Sequence, residues 1–115
     1  MRHNRANKAL VHDMVEACDH ILNYTSGMTY EEFRIDTKTV DAVMRRFTIL
    51  GEAASQVMKE FRDEFLEIPW RNASDLRNIL VHFYHGASTE VVWNTAKDIL
   101  PDLRKKLENV LKAGR

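Results

Sequence analysis

Apolar side chains recur at three- and four-residue steps along most of this chain, and that spacing constrains the fold more than any other feature. The first run predicts one buried face of an α-helix, formed by Leu10, Val11, Met14, Val15, Cys18, Ile21 and Leu22. Only four glycines and two prolines occur among 115 residues, which leaves little material for turns. We therefore expect few, long elements, and the spacing predicts that they are helices.

Turn and capping residues divide this pattern into separate helices. Ser26-Gly27 predicts the end of the first helix, because glycine readily adopts the backbone conformation that closes a helix. Thr29 with Glu32 three residues later is a capping-box pattern, in which each side chain accepts a hydrogen bond from the backbone of the other residue. A short second helix is therefore predicted over residues 30–34.

The third predicted helix is the longest element. Asp36 or Thr37 supplies its N-terminal cap, and its apolar positions keep the helical period without a break from Val40 to Phe61. Pro69 interrupts the pattern and can occupy the first turn of the next helix.

Two further helices complete the predicted fold. The apolar side of the fourth is formed by Leu76, Ile79, Leu80 and Phe83. Residues 79–84 also have a strand-like composition, but a helix is favoured because no partner strand is evident. Ser88 or Thr89 caps the last helix, which Pro101 is expected to kink or divide. Residues 1–115 are thus predicted to form one domain, an all-α bundle of about five helices.

The charge and cysteine content limit where such a bundle could act. The 17 Lys and Arg residues balance 17 Asp and Glu residues, which argues against non-specific nucleic-acid binding by bulk charge. The single cysteine, Cys18, excludes an intramolecular disulfide, fits a reducing compartment and is interpreted as a small buried hydrophobe. No apolar run approaches the roughly 18 residues of a membrane span, and the polar start is unlike a signal peptide. We expect a cytoplasmic protein that does not act at a membrane.

The predicted fourth helix concentrates side chains with chemical function: Arg71, Asn72, Asp75, Arg77, Asn78, His82, Tyr84 and His85. Arg77 and His82 differ by roughly 140° about an ideal helix, but a two-fold axis along this helix would bring two copies of each into one cleft. There a neutral His82 can accept the proton of a ribose 2′-hydroxyl, while Arg77 neutralises charge on the phosphorane without a metal. From spacing alone, the alternative stays open that Arg77 is a solvated surface charge and His82 an ordinary hydrogen-bonded histidine.

A longer pattern favours the first of these interpretations. Arg77, four residues, His82, one residue and Tyr84 form the motif of the HepT-like branch of the HEPN superfamily, and the chain resembles that branch. Its members are the toxins of HepT–MntA toxin–antitoxin pairs. The segments that carry the rest of the resemblance are residues 24–33, 41–46, 50–54, 68–71 and 92–103. Together they extend over nearly the whole chain.

The resemblance implies an all-α HEPN bundle that forms a homodimer through its motif helix, and a metal-independent endoribonuclease that cleaves cellular RNA. It assigns catalysis to Arg77 and His82, and to Asn78 a supporting role in orienting His82 or the phosphate. Tyr84 is implied to accept AMP groups from an MntA-like nucleotidyltransferase antitoxin, and these phosphates would occupy the cleft that the RNA needs. The resemblance implies no metal and no cofactor.

Two further features of the sequence carry alternative interpretations. The segment Gly51-Glu52-Ala53-Ala54 indicates either close helix packing, with Glu52 paired to a cation, or a supporting role for Glu52 in the cleft. Trp70 and Trp93 are expected to be anchors in the core or at an interface rather than platforms for base stacking.

A competing function is a catalytically inactive HEPN module that docks a nucleotidyltransferase or a nucleotide through the same cleft. The zero net charge favours it slightly, and so does Asp75, which places a negative charge two positions before Arg77. Saturable binding without RNA cleavage would distinguish it from the ribonuclease.

Overall fold

The computed structural model of this chain describes residues 2–79, 81 and 88–113, whose regular elements are all helical, with no strand among them. The α-helices are α1 (Arg2–Tyr24), α2 (Tyr30–Ile35), α3 (Thr37–Gln56), α4 (Lys59–Glu64), α5 (Trp70–Asp75), α6 (Thr89–Asn94) and α7 (Leu100–Lys112). A 3₁₀ turn, Leu76–Asn78, continues α5, and a π-helical turn, Thr95–Ile99, joins α6 to α7. The prediction of an all-α bundle is therefore confirmed.

The core lies where α1 packs against α3 and α7, and α3 packs in turn against α5. The predicted face of α1 is buried, with Val11, Met14 and Ile21 completely inaccessible to solvent. Phe47 and Leu50 of α3 are equally inaccessible. Burying one such large apolar side chain contributes about 1.5–3 kcal/mol, so this shared core accounts for the packing of the long helices.

The predicted helix boundaries between α1 and α3 are confirmed. Gly27 has a φ of +75°, the left-handed conformation that suits glycine just after a helix. The Glu32 N–H donates to Thr29 Oγ1 at 3.1 Å, and the Thr29 N–H donates to Glu32 Oε1 at 2.9 Å, which completes the capping box. Asp36 caps α3, because its Oδ1 accepts the Thr39 N–H at 3.0 Å.

The prediction of an unbroken third helix from Val40 to Phe61 is wrong. Helix α3 ends at Gln56, and Val57 and Met58 are extended before α4 begins. The side-chain oxygen of Asn7, a buried residue of α1, accepts the Met58 N–H at 3.0 Å. This contact satisfies a backbone group outside the helical pattern, while Val57 and Phe61 both remain buried.

The last predicted helix is divided, as Pro101 indicated. Proline has no N–H to donate to the carbonyl four residues earlier, so it is compatible only with the first turn of a helix. Pro101 occupies the first turn of α7, directly after the π-helical turn. Ser88 stands at the N-cap position of α6, although its side chain makes no capping hydrogen bond.

The predicted fourth helix is represented by α5, the 3₁₀ turn and the helical residues Ile79 and Val81. Leu80, Phe83 and the other residues of 82–87 lie outside the described residues. No helix in the described part of the chain is both long and apolar enough to cross a membrane.

Candidate functional site

Arg77 and Asn78 lie in the 3₁₀ turn, and the side chains of both are exposed. The Leu76 N–H donates to the Ala73 carbonyl, and the Ile79 N–H donates to the Leu76 carbonyl. A 3₁₀ helix has three residues per turn, so the side chains of Leu76 and Ile79 lie on the same side of this one. Ile79 is buried there, and Leu76 packs against the core. The two polar side chains between them therefore emerge on the surface.

Helix α5, which leads into this turn, is anchored by Trp70. Trp70 is 7% exposed, and its indole Nε1–H donates to the Phe65 carbonyl at 2.9 Å. Ile68, just before the helix, and Ala73, within it, are both buried. These contacts confirm that Trp70 is a core anchor, and they leave the 3₁₀ turn attached to a well-packed helix.

The guanidinium of Arg77 takes part in no ion pair within the described ranges. Asp75, the nearby carboxylate, is exposed and is also absent from those pairs. A guanidinium is charged at all physiological pH values and offers a planar set of N–H donors that matches phosphate oxygens. Together with the carboxamide of Asn78, which can donate and accept hydrogen bonds, it forms a polar pair suited to a phosphodiester.

Glu52 lies on α3 beside a different feature, a groove between α1 and α3. The groove has a volume of about 310 Å³, and its walls are formed by Leu10, Asp13, Thr48, Ile49, Glu52, Ala53 and Gln56. In the part of the chain that the structure describes, no hydrogen bond or ion pair joins Glu52 to Arg77, and no ion pair includes Glu52. Its supporting role in the site stays a prediction.

A larger, open depression of about 740 Å³ lies at the start of α2 and α3. Its walls are formed by Gly27, Met28, Glu32, Ile35, Asp36 and Thr37. None of the residues predicted to act in catalysis lines it.

His82 and Tyr84 lie outside the described residues. The structure therefore brings Arg77 and Asn78 together on one turn, and the roles of His82 and Tyr84 stay predictions from the sequence.

Of two other side chains singled out in the sequence, Cys18 belongs to the core and Trp93 is half-buried and packs against it. Cys18 is completely buried, and burial, with a smaller effect from Asp19, raises the pKa of its thiol to about 12. The thiol therefore stays protonated at neutral pH, as expected for a buried hydrophobe. Trp93 packs on Phe33, with ring centroids 5.1 Å apart, and Lys97 Nζ lies 4.8 Å from the Trp93 ring centroid.

Among the residues that the structure describes, no three His, Cys, Asp or Glu side chains are grouped so that they could hold a metal ion.

Gly51 packs against Arg77, and the sequence did not predict this contact. The run of small residues on α3 indicated close helix packing, and that packing is confirmed, but the expected pairing of Glu52 with a cation is not found among the described residues. What the sequence did not identify is the contacting group, which is the backbone of Arg77 itself.

Comparison with known proteins connects these residues with a family. A family model described as Ribonuclease HepT-like matches residues 14–110. A protein of Methanocaldococcus jannaschii, named as the candidate RNase MJ1216, is 37% identical over 106 residues, which cover 91% of this chain and 87% of the relative. A protein of Thermococcus cleftensis named "Probable ribonuclease HepT" is 36% identical over 108 residues, which cover 94% of this chain and 98% of the relative. No solved structure shows a significant match.

Proposed function

The chain belongs to the ribonuclease HepT-like family, and we propose that it is an endoribonuclease in which Arg77 and His82 perform catalysis. The observation that carries this proposal is the position of Arg77. This residue is exposed on a turn that the side chains of Leu76 and Ile79 hold against the core. A charged group on a well-packed support can meet the developing charge of a transition state with little reorganisation.

In the proposed reaction the neutral imidazole of His82 removes the proton from a ribose 2′-hydroxyl, and the 2′-oxygen attacks the adjacent phosphorus. The bond to the 5′-oxygen then breaks, and the 5′-oxygen takes up a proton from the imidazolium or from water. The products are a 2′,3′-cyclic phosphate and a 5′-hydroxyl. Arg77 binds the non-bridging oxygens, where negative charge increases in the phosphorane, and no step requires a metal.

Asn78 and Glu52 are proposed to support this chemistry. Asn78 follows Arg77 on the same exposed turn, so its carboxamide can orient the phosphate or His82. Glu52 follows Gly51, whose backbone packs against Arg77, and a carboxylate there can orient a neighbouring donor.

We further propose that the site is completed in a homodimer and that the protein is the toxin of a toxin–antitoxin pair. A two-fold axis along the segment that carries Arg77 would place two copies of the catalytic pair in one cleft. Transfer of AMP to Tyr84 by a nucleotidyltransferase antitoxin would add negative charge to that cleft and exclude the RNA phosphate.

Cleavage of total RNA in EDTA tests the proposal. Wild-type protein, purified without an antitoxin and shown by intact mass to carry no AMP on Tyr84, is expected to release fragments. Arg77→Ala is expected to lower kcat by about 10²- to 10³-fold, and His82→Ala by about 10²- to 10⁴-fold, with helical content retained. Arg34→Ala, which removes an exposed arginine of α2, serves as the control and is expected to cleave like the wild type.

Three further results would discriminate between mechanisms. A substrate with 2′-O-methyl groups should resist cleavage, because it lacks the attacking hydroxyl. RNA left intact by unmodified wild-type protein, together with saturable binding to a nucleotidyltransferase, would instead support the inactive docking module. Cleavage that EDTA abolishes would contradict the metal-independent mechanism.

A further inference from the structure

Gly51 of α3 is buried directly beneath the backbone of Arg77. A Cβ atom at position 51 would lie 2.1 Å from Arg77 N, 2.8 Å from Arg77 Cα and 2.9 Å from Arg77 Cβ. Separations below 3.0 Å essentially never occur for real Cβ atoms, and two of these three atoms belong to the main chain. Because main-chain atoms cannot rotate aside, any other residue at position 51 must displace Arg77.

This close approach is the reason that position 51 requires glycine. Gly51 lies inside a regular helix, and the positive φ that favours glycine occurs in the described residues only at Gly27. A glycine in a helix interior is otherwise unfavourable relative to alanine. Phe47 and Ala54, four residues before and three residues after Gly51 on the same face of α3, are buried as well, and α3 packs against the 3₁₀ turn.

The contact matters because the side chain of Arg77 extends from the backbone that Gly51 approaches. Within residues 2–79, 81 and 88–113, no side-chain hydrogen bond or ion pair holds it. The guanidinium can reach only as far as the position of its backbone allows. That backbone is fixed by Gly51 beneath it and by the packing of Leu76 and Ile79 on the core.

We propose that Gly51 is a positioning residue for Arg77, and that it sets the point from which the guanidinium reaches the phosphate. This inference rests on the proposed ribonuclease function. To bring the separation between this Cβ and Arg77 N from 2.1 Å to the 3.4 Å of ordinary van der Waals packing, the Arg77 backbone must move by about 1.3 Å. A displacement of that size is enough to lower catalysis by about 10²-fold.

Gly51→Ala tests the proposal against two comparison variants. Arg77→Ala removes the group being positioned. Val43→Ala removes buried atoms from the same helix without adding any against Arg77, and so controls for lost stability. Each protein is assayed at a temperature where circular dichroism shows it to be folded. We measure kcat and KM on an oligoribonucleotide, and binding of a 2′-O-methyl oligoribonucleotide at several salt concentrations.

We expect Gly51→Ala to lower kcat by about tenfold to 10²-fold, while Val43→Ala retains the wild-type kcat. The slope of log affinity against log salt should decrease by about one in Gly51→Ala and in Arg77→Ala, as for the loss of one phosphate contact. The double variant Gly51→Ala/Arg77→Ala should be no less active than Arg77→Ala alone. If Gly51 had a purely structural role, Gly51→Ala would keep the wild-type salt slope. The losses in kcat from the two single variants would then add in the double variant.

The outcomes separate this inference from the proposed function. If Arg77→Ala loses activity while folded Gly51→Ala keeps its kcat and salt slope, the positioning role is refuted and the proposed function stands. If Arg77→Ala cleaves RNA like the wild type, both are refuted. Should Gly51→Ala fail to fold, Leu76→Ala loosens the same turn from its other side, and an unchanged kcat in that variant would refute the positioning role.

Discussion

At the scale of single residues, Asn7 shows how one buried side chain can determine the course of the chain. Asn7 is 2% exposed, and its Oδ1 accepts the N–H of Met58 at 3.0 Å. The bond joins α1 to the extended residues between α3 and α4. It supplies an acceptor for a backbone N–H outside the regular pattern of helical hydrogen bonds.

Asn7→Ala should therefore destabilise the fold. The substitution leaves the Met58 N–H without this acceptor, and we expect the free energy of unfolding to fall by about 1–3 kcal/mol. Asn23→Ala, on the exposed surface of the same helix, should change it by less than about 0.5 kcal/mol. Urea unfolding followed by circular dichroism measures both, and equal losses in the two variants would contradict the role assigned to Asn7.

At the scale of helical elements, Asp36 is shared by two helices. Its N–H donates to the Phe33 carbonyl at the end of α2, and its side chain accepts the Thr39 N–H at the start of α3. The backbone hydrogen bond from Thr39, followed by the one from the Thr39 hydroxyl at 2.8 Å, lowers the pKa of the Asp36 carboxyl. The ionised form is thus the one that the folded protein stabilises.

The cap formed by Asp36 should make stability depend on pH. Because the folded pKa is lower than the unfolded value of about 3.9, the contribution is present above pH 4 and is lost as the pH falls through the folded pKa. We expect wild-type protein to be more stable than Asp36→Asn at pH 7, with the difference shrinking as the pH falls below about 4 and through the folded pKa of Asp36. Urea unfolding across this range tests the prediction, and a difference that does not vary with pH would argue against the ionised cap.

The helix boundaries show which elements can be predicted from local sequence. The start of α2, the Asp36 cap and the division before α7 were predicted correctly, because their causes lie within three or four residues of the boundary. The end of α3 was not predicted correctly, because the apolar period continues through the buried residues Val57 and Phe61. The acceptor for the Met58 N–H just beyond the end of α3 belongs to Asn7, which is distant in the sequence.

At the scale of the whole molecule, α7 is joined to α1 by two kinds of contact. On the surface, Arg104 Nε donates to Asp19 Oδ1 at 2.8 Å, with the two side chains 32% and 50% exposed. Beneath it, Leu107 of α7 is completely buried in the core that both helices share. Ion pairs that solvent reaches contribute little, whereas removing buried apolar atoms leaves a cavity that packing only partly closes.

Burial should therefore outweigh the ion pair in stabilising the bundle. We expect Leu107→Ala to lower the free energy of unfolding by about 2–5 kcal/mol, and Arg104→Ala by less than about 1 kcal/mol. Raising the salt concentration should narrow the difference between wild type and Arg104→Ala, because salt screens exposed charges. Thermal and urea unfolding measure these effects, and a larger loss from Arg104→Ala than from Leu107→Ala would overturn the ranking.

The sequence by itself determined the all-α class, the buried faces of the helices and the caps, because each depends on residues a few positions apart. It also carried the motif of Arg77, His82 and Tyr84, with Asn78 directly after the arginine, on which the candidate site rests. Only the tertiary structure decided that Gly51 lies beneath the backbone of Arg77 and that Asn7 binds Met58. These contacts join residues that are distant along the chain, so their partners are selected by how the helices pack and not by any local pattern.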